Sequence, residues 1–325
     1  MEMTISQAGP LSTIQDLGRP GFRRLGITAG GAMDPLSLRL ANLLVGNPAN
    51  SPALEMTLVG CEIRFERAAL VAICGGDFET RVDGIPRSTH RPFGLARGQT
   101  LHVRSAQRGC RAYLAIAGGI DVESCLGGRG TDLRAGIGGF SGRALRAGDV
   151  LIGREVKVPL VPEGWFVTDD WRPDLSGRVS LRAVCGQHAD EFPSTIFDHE
   201  FEISPQSDRM GLRLKGPGLT RARGRELLST AVMPGTIQIP PDGQPIVLAA
   251  DCQTIGGYPR AAHVITADLP TLGQLKPGDS VRFVEVTVAA AHEALAEQEY
   301  HLRLLRIGLA SRLPWVRTDG CSAWI

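Results

Sequence analysis

Lysine is nearly missing from this sequence of 325 residues. Only Lys157, Lys215 and Lys276 occur among 35 basic residues, and every other basic position is arginine. Any anion held by the chain must therefore meet guanidinium forks or backbone N–H groups. Excess charge is missing too: the formal net charge is +1, which argues against nucleic acid or an anionic membrane as partner. No C-x-x-C occurs, and the seven cysteines, at 61, 74, 110, 125, 185, 252 and 321, are odd in number and widely spaced. That pattern excludes a disulfide framework and a zinc knuckle. No apolar run reaches membrane-spanning length, and MEMTISQAGPLSTIQDLG has neither a basic region nor an apolar core of a leader. A reducing cytoplasm is the expected location.

Several catalytic frames are absent as well. None of the three lysines sits in G-x-x-x-x-G-K-[ST]. GGFSGR lacks the closing glycine of G-x-S-x-G, and HEALAEQEYH has the wrong spacing for H-E-x-x-H. The seven histidines are scattered without ligand-like separation, so no histidine metal site is expected.

What the chain does have is turns. Forty glycines and 21 prolines accompany strand-like alternation in TLHVR, CRAYLAIA, RVSLRAV, TIQI and VRFVEVTV. The reading is mainly β: two β-barrel-like units, a few short helices and a C-terminal helix. A helix is predicted for DPLSLRLANLLVG, with Asp34 as cap, Pro35 in the first turn and Gly46 at the stop. A second is predicted within 289–307. The phrase LARGQTLHV returns as LRAGDVLIG and LKPGDSVRF, which suggests two units built on similar plans. The Pro-rich VKVPLVPEGW (156–165) marks the expected boundary. The resulting division is 1–155, 156–290 and a helix with tail, 291–325.

Four stretches concentrate polar side chains. In TIQDLGRPGFRRLGI, an internal pair of Asp16 with an arginine such as Arg19 would fix a loop and leave another guanidinium open; a solvated turn explains the same residues. The glycine clusters at 127–132 and 135–140 are explained by tight turns. Their residues Arg129, Gly130, Thr131, Gly138 and Gly139 would also suit a phosphate. SPQSDRMGLRLKG places Gln206, Ser207 and Arg209 just before a core strand, which a Ser-type turn explains without a ligand. GQPIVLAADCQTIGGYPRAA repeats the plan, with Gln244 before a strand and Asp251, Gln253, Thr254, Tyr258 and Arg260 after it. Two such clusters favour a binding site presented on rigid strands.

At the level of whole segments, TIQDLGRPGFRRLGITAGGAMD, ANLLVGNPANSPALEMTL, TDLRAGIGGFSGRALRAGD, SPQSDRMGLRL, ELLSTAVMPGTIQIPPDGQPIVL and DCQTIGGYPRAAHVITAD resemble the family of 5-oxoprolinase C subunits. That family is also called allophanate hydrolase subunit 2 type, or biotin-dependent carboxyltransferase A/B domain. The resemblance runs from about residue 3 to 309. It implies cyclophilin-like barrels and two partners, the cyclophilin-like B subunit and the A subunit of 5-oxoprolinase. The implied activity is ATP-dependent opening of 5-oxoproline to L-glutamate. The resemblance equally implies two alternatives: carboxyl transfer to urea from biotin carried by a partner, or non-enzymatic regulation of a kinase through a cyclophilin-fold partner.

By residue type, the expected catalytic residues for this chemistry are Asp251 (general base or Mg²⁺ ligand), Arg209 and Arg260. Gln206, Ser207, Gln244, Gln253, Thr254 and Tyr258 are expected to bind substrate. The glycine-loop residues named above would bind phosphate of ATP, and Asp16, Arg19 and Asp34 would support the site. The family's proline after Gly186 is here Gln187, and its Thr-Thr-Gly-Gly is Thr254-Ile255-Gly256-Gly257. SRLPWVRTDGCSAWI has no counterpart in the family.

Overall fold

The protein is described by a computed structural model covering residues 1–154, 167–168, 172–222, 227–313 and 316. The expected boundary segment 156–165 and most of the C-terminal tail lie outside those residues.

The chain forms two compact units, and their make-up departs from the linear division expected. Met1–Leu17, Pro35–Arg172 and Glu297–Ile325 form the first; Gly18–Asp34 and Pro173–Ala296 form the second. The break after the first unit thus falls at 172, and a segment near the N-terminus belongs to the second.

Among the described residues nine strands build the first unit: β1 (Glu2–Gln7), β2 (Leu11–Gln15), β3 (Ala53–Thr57), β4 (Glu62–Phe65), β5 (Ala69–Val82), β6 (Ile85–Pro86), β7 (Pro92–Leu95), β8 (Thr100–Ile116) and β9 (Val150–Ile152). They share one sheet, with the path β2-β3-β8-β4-β1-β9 and β5 to β7 branching from β8. The long β5 and β8 pair antiparallel from Val71↔Ile116 to Val82↔Leu101, with irregular register around Asp77 and Phe78. Val71, Ile73, Phe78, Leu101, Leu114 and Ile116 enter one core with Met3, Ile5, Ile14 and Phe65. Each such side chain removed from water stabilises the fold by about 1.5–3 kcal/mol. Helix α1 (Pro35–Leu44) buries Leu36, Leu38, Leu40, Ala41 and Leu44. It stops where the sequence predicts, since Gly46 has φ 76° and its N–H donates to Leu43 O at 3.1 Å.

Nine further strands build the second unit: β10 (Arg178–Cys185), β11 (Glu200–Ile203), β12 (Gly211–Lys215), β13 (Thr230–Ala231), β14 (Thr236–Gln238), β15 (Ile246–Leu248), β16 (Ile255–Gly256), β17 (Arg260–Val264) and β18 (Ser280–Glu285). Seven of them close into a barrel, β10-β17-β14-β15-β12-β11-β18, while β13 and β16 make a separate two-stranded ribbon. Closure runs through the parallel pair β10 and β18, which leaves the barrel no free edge. Leu181, Phe201, Leu212, Ile237, Val247, Val264 and Phe283 fill it. A short helix α2 (Leu269–Leu272) precedes β18, and α3 (Val288–Arg312) follows it. Among the described residues no helix is long and apolar enough to cross a membrane.

The thrice-repeated phrase is one turn used three times. Gly98, Gly148 and Gly278 have φ of 84°, 90° and 89°, the conformation a type II turn needs at its third residue. Gln99, Asp149 and Asp279 donate their N–H groups to Ala96, Arg146 and Lys276 carbonyls at 3.1–3.2 Å. The same three side chains accept the N–H of Ala96, Arg146 and Lys276 in return, at 2.8, 2.8 and 2.9 Å. The turns launch β8, β9 and β18.

Candidate functional site

The antiparallel pairing of Gly211 with Leu248 brings the start of β12 beside the end of β15. Beyond the strands the two chain segments stay joined: Ala249 N donates to Met210 O at 3.0 Å and Asp251 N to Arg209 O at 2.8 Å. That register sets the two side chains face to face. Arg209 Nε donates to Asp251 Oδ2 at 2.7 Å, and Nη2 to Oδ1 at 3.0 Å. Such a fork is geometrically specific as well as strong. Nη2 also donates to Gly31 O at 2.6 Å, which ties in the segment Gly18–Asp34. Gly30 has φ 62°, and a Cβ there would lie 3.3 Å from Arg19 Nη1 and 3.7 Å from Asp251 Oδ1. Arg19 is fully buried.

This arrangement changes the part expected of Asp251. Both of its oxygens accept from the Arg209 guanidinium, so it is an anchor joining two loops. Among the described residues no cluster of three or more His, Cys, Asp or Glu side chains could hold a metal ion.

A second assembly forms on the β13–β16 ribbon. Thr230 pairs with Gly256 and Ala231 with Ile255, and Val232 N donates to Thr254 O at 3.1 Å. Gln253 Nε2 donates to Gln238 Oε1 at 3.4 Å, and Gln238 Nε2 to Tyr258 O at 3.4 Å. Gly256 gives the Gln238 amide its room, because a Cβ there would sit 2.7 Å from Gln238 Nε2 and push it aside. Arg260 opens β17; its Nη1 donates to Ala231 O at 3.2 Å, its Nη2 to Gln187 Oε1, and its N–H to His188 Nδ1 at 3.1 Å. Burial holds the His188 pKa below the usual histidine range; Glu191 opposes this and the Arg260 charge reinforces it. A neutral imidazole is the form that can accept the Arg260 N–H. Tyr258 is 46% exposed, and Thr254 and Gln253 are part-buried.

Other residues expected at the site lie elsewhere in their hydrogen bonding. Gln244 clamps the end of the β12–β15 pair, its amide accepting from Gly216 N at 3.0 Å and donating to Gly216 O at 3.2 Å. Ser207 closes a turn, its hydroxyl accepting Arg213 N at 3.0 Å. Gln206 is exposed. Asp34 is buried and accepts from Gln274 Nε2 at 2.7 Å.

The expected phosphate loop is corrected by its own hydrogen bonds. Arg129 N donates to Asp16 Oδ2 at 2.6 Å, Thr131 N to Ile14 O at 2.8 Å and Gly139 N to Arg129 O at 2.8 Å. The Thr131 hydroxyl is buried and donates to Ile14 O at 2.9 Å. A Cβ at Gly130 would lie 2.7 Å from Gln15 Oε1, and one at Gly139 would lie 1.8 Å from Thr131 Oγ1. These glycines serve close packing, and the three N–H groups are not available to cradle a phosphate. Gly138 belongs to the same turn, its carbonyl accepting Gly142 N at 2.7 Å.

Sequence reasoning missed Gln238, His188, Gln187 and Arg23. A glutamine inside TIQI was the available signal for the first, since a polar side chain on an inward strand face demands a partner; Gln238 is 1% exposed.

A mainly β chain with a closed seven-stranded barrel and clustered arginine and amide side chains at its strand ends fits a known class. Residues 25–285 match the family described as carboxyltransferase domain, subdomain A and B, and the chain belongs to that family. It is 41% identical over 308 residues to the 5-oxoprolinase C subunit of Escherichia coli (strain K12), covering 93% of this chain and 97% of that protein. It is 36% identical to the 5-oxoprolinase C subunit of Haemophilus influenzae, covering 91% and 94%. The crystal structure of the K. lactis urea amidolyase superposes with a TM-score of 0.86 at 32% identity, over 92% of this chain and 19% of that one.

Proposed function

We propose that this chain is the C subunit of an ATP-dependent 5-oxoprolinase. With the A and B subunits as partners, in the cytoplasm, it opens the 5-oxoproline lactam to L-glutamate. The observation that carries this reading is the near full-length similarity, on both sides, to two proteins named as 5-oxoprolinase C subunits.

The chemistry explains why polar loops on a rigid barrel suit the task. A lactam carbonyl is a poor electrophile. Moving the γ-phosphoryl group of ATP to the lactam oxygen releases ADP and activates the carbon. One water adds there, and the C–N bond breaks as the nitrogen takes a proton. A second water hydrolyses the acyl phosphate to glutamate and phosphate. The residues of this chain act by binding and orientation. Tyr258, Thr254 and Gln253 offer hydrogen bonds to a small polar ring, and Arg260 offers a cation for a carboxylate or phosphate. The Arg209–Asp251 fork fixes the loop that carries them.

The test is reconstitution: the purified chain with the A and B subunits, 5-oxoproline and ATP, following ADP and glutamate together. Stoichiometric ADP and glutamate that require this chain support the reading; unchanged turnover without the chain refutes it. The similarity to the K. lactis urea amidolyase motivates a second reading, carboxyl transfer from a partner's carboxybiotin to urea. Biotin-dependent carboxylation of urea in place of lactam opening would establish it.

A further inference from the structure

The ribbon that carries Gln253, Thr254 and Tyr258 has little to hold it. Its strands are two residues each, and an isolated two-stranded ribbon is marginal in water. Val232, beside β13, is buried against Leu248 and Cys252, but Ile255 is 60% exposed, Met233 53% and nearby Leu228 89%. Beyond that one apolar contact, position comes from hydrogen bonds.

One side chain reaches both arms. Arg23 lies in a short 3₁₀ turn, Arg23–Leu25, within Gly18–Asp34. Its Nη2 donates to Val232 O, next to β13, and to Gln253 O, before β16, at 3.3 Å in the latter case. Nη1 is buried as well, so the group faces the protein. The segment bearing Arg23 is itself tied down at three points: Arg19 N donates to Ala29 O at 2.8 Å, Gly31 O accepts from Arg209, and Asp34 accepts from Gln274. It is a fixed strap, and a fixed strap can hold a ribbon.

We propose that Arg23 is a positioning residue that clasps both arms of the β13–β16 ribbon and so sets Gln253, Thr254 and Tyr258 for substrate. The link to substrate rests on the function proposed above; the clasp itself does not. Both bonds leave Nη2 of a planar, pre-organised guanidinium; lysine's ammonium also has donors enough, but on a flexible stem that fixes their direction less well.

The experiment uses the full chain in two measurements. Hydrogen exchange of peptides spanning 230–233 and 253–257 is compared for wild type, Arg23→Ala, Arg23→Lys and, as control, the exposed neighbour Arg24→Ala. Steady-state turnover of 5-oxoproline is measured with the A and B subunits present. Arg23→Ala is expected to speed exchange in the ribbon about tenfold or more and raise KM about tenfold, with kcat changed far less. Arg23→Lys restores part of both, and Arg24→Ala matches wild type. Unchanged ribbon exchange in Arg23→Ala overturns the clasp. Faster exchange with unaltered KM overturns its role in positioning. Absence of 5-oxoproline turnover by the wild-type complex would refute the proposed function instead, and the exchange comparison, which needs no substrate, would still decide the clasp.

Discussion

Two glycine-rich polar loops look alike in the sequence and do opposite things in the structure. In 127–139 the N–H groups of Arg129, Thr131 and Gly139 turn inward to protein acceptors, and Thr131 is buried. In 251–260 the fixing bonds are made by arginines donating to the loop: Arg209 to the Asp251 carboxylate and Arg23 to the Gln253 carbonyl. Tyr258 and Ile255 are left facing out. Glycine beside polar residues therefore does not show which way a loop's hydrogen bonds point. The first loop is built to be packed, the second to be held from behind.

The sharpest way to break this contrast is to remove what holds the second loop. Arg209→Met leaves Asp251, a carboxylate only 13% exposed, without its fork, and such losses cost about 3–5 kcal/mol. Chemical denaturation should show that loss, and Arg209→Met with Asp251→Leu together should recover much of it, since paired removal leaves neither member of the fork behind as an unpaired charge. A stable single variant would mean that the pair is not the joint described.

Next in size is the packed loop. Gly139→Ala places a Cβ 1.8 Å from Thr131 Oγ1 at φ 52° and should destabilise by about 3 kcal/mol. Gly257→Ala, whose nearest contacts would be Ser229 Oγ at 3.3 Å and Leu227 O at 3.4 Å, should change thermal stability little. If the two alanine variants melt alike, the division into packed and held loops is wrong.

How far the sequence reaches follows the same line. The β class, the α1 stop at Gly46 and the threefold turn were legible, because local sterics and short-range hydrogen bonds decide them. The joining of SPQSDR to DCQTIGGYPR was legible as a pattern of polar strand ends. What Asp251 does there was not, because a carboxylate's role depends on whether its partner lies across the strand pair, and 42 residues separate the two in sequence. The membership of Gly18–Asp34 in the second unit was likewise hidden: no local signal says that Arg23 will meet carbonyls 209 and 230 residues away.

Titration extends the contrast with a smaller effect. His90, in the first unit, is 1% exposed, accepts from Gly75 N at 3.1 Å, and is pushed down to about 3 by burial and then by Arg172. Its folded pKa lies below the unfolded 6.5, so the unfolded chain binds the extra proton. Stability is full above pH 6.5 and falls as pH drops toward 3, by about 1.4 kcal/mol per pH unit at most from this one group. Urea unfolding at several pH values should show a slope that His90→Gln flattens. His188, beside the held loop, is shifted the same way by burial but is part-exposed, and His188→Gln should leave most of the slope in place.

The smallest effect on stability should come from the outward face of the second loop, and it is the most telling about function. Tyr258 makes its described hydrogen bond through its backbone carbonyl, to Gln238, and its ring is 46% exposed. Tyr258→Phe removes one hydroxyl for which no hydrogen bond is seen among the described residues, so denaturation midpoints should move within about 0.5 kcal/mol. Were that hydroxyl to contact the lactam or its carboxylate, KM for 5-oxoproline would rise several-fold at unchanged stability. Arg23→Ala acts on the same loop from behind and should raise KM while also loosening the ribbon. A Tyr258→Phe enzyme with unaltered kcat and KM would separate the two faces: the ribbon would still be clasped, but its exposed ring would belong to a partner surface and not to substrate.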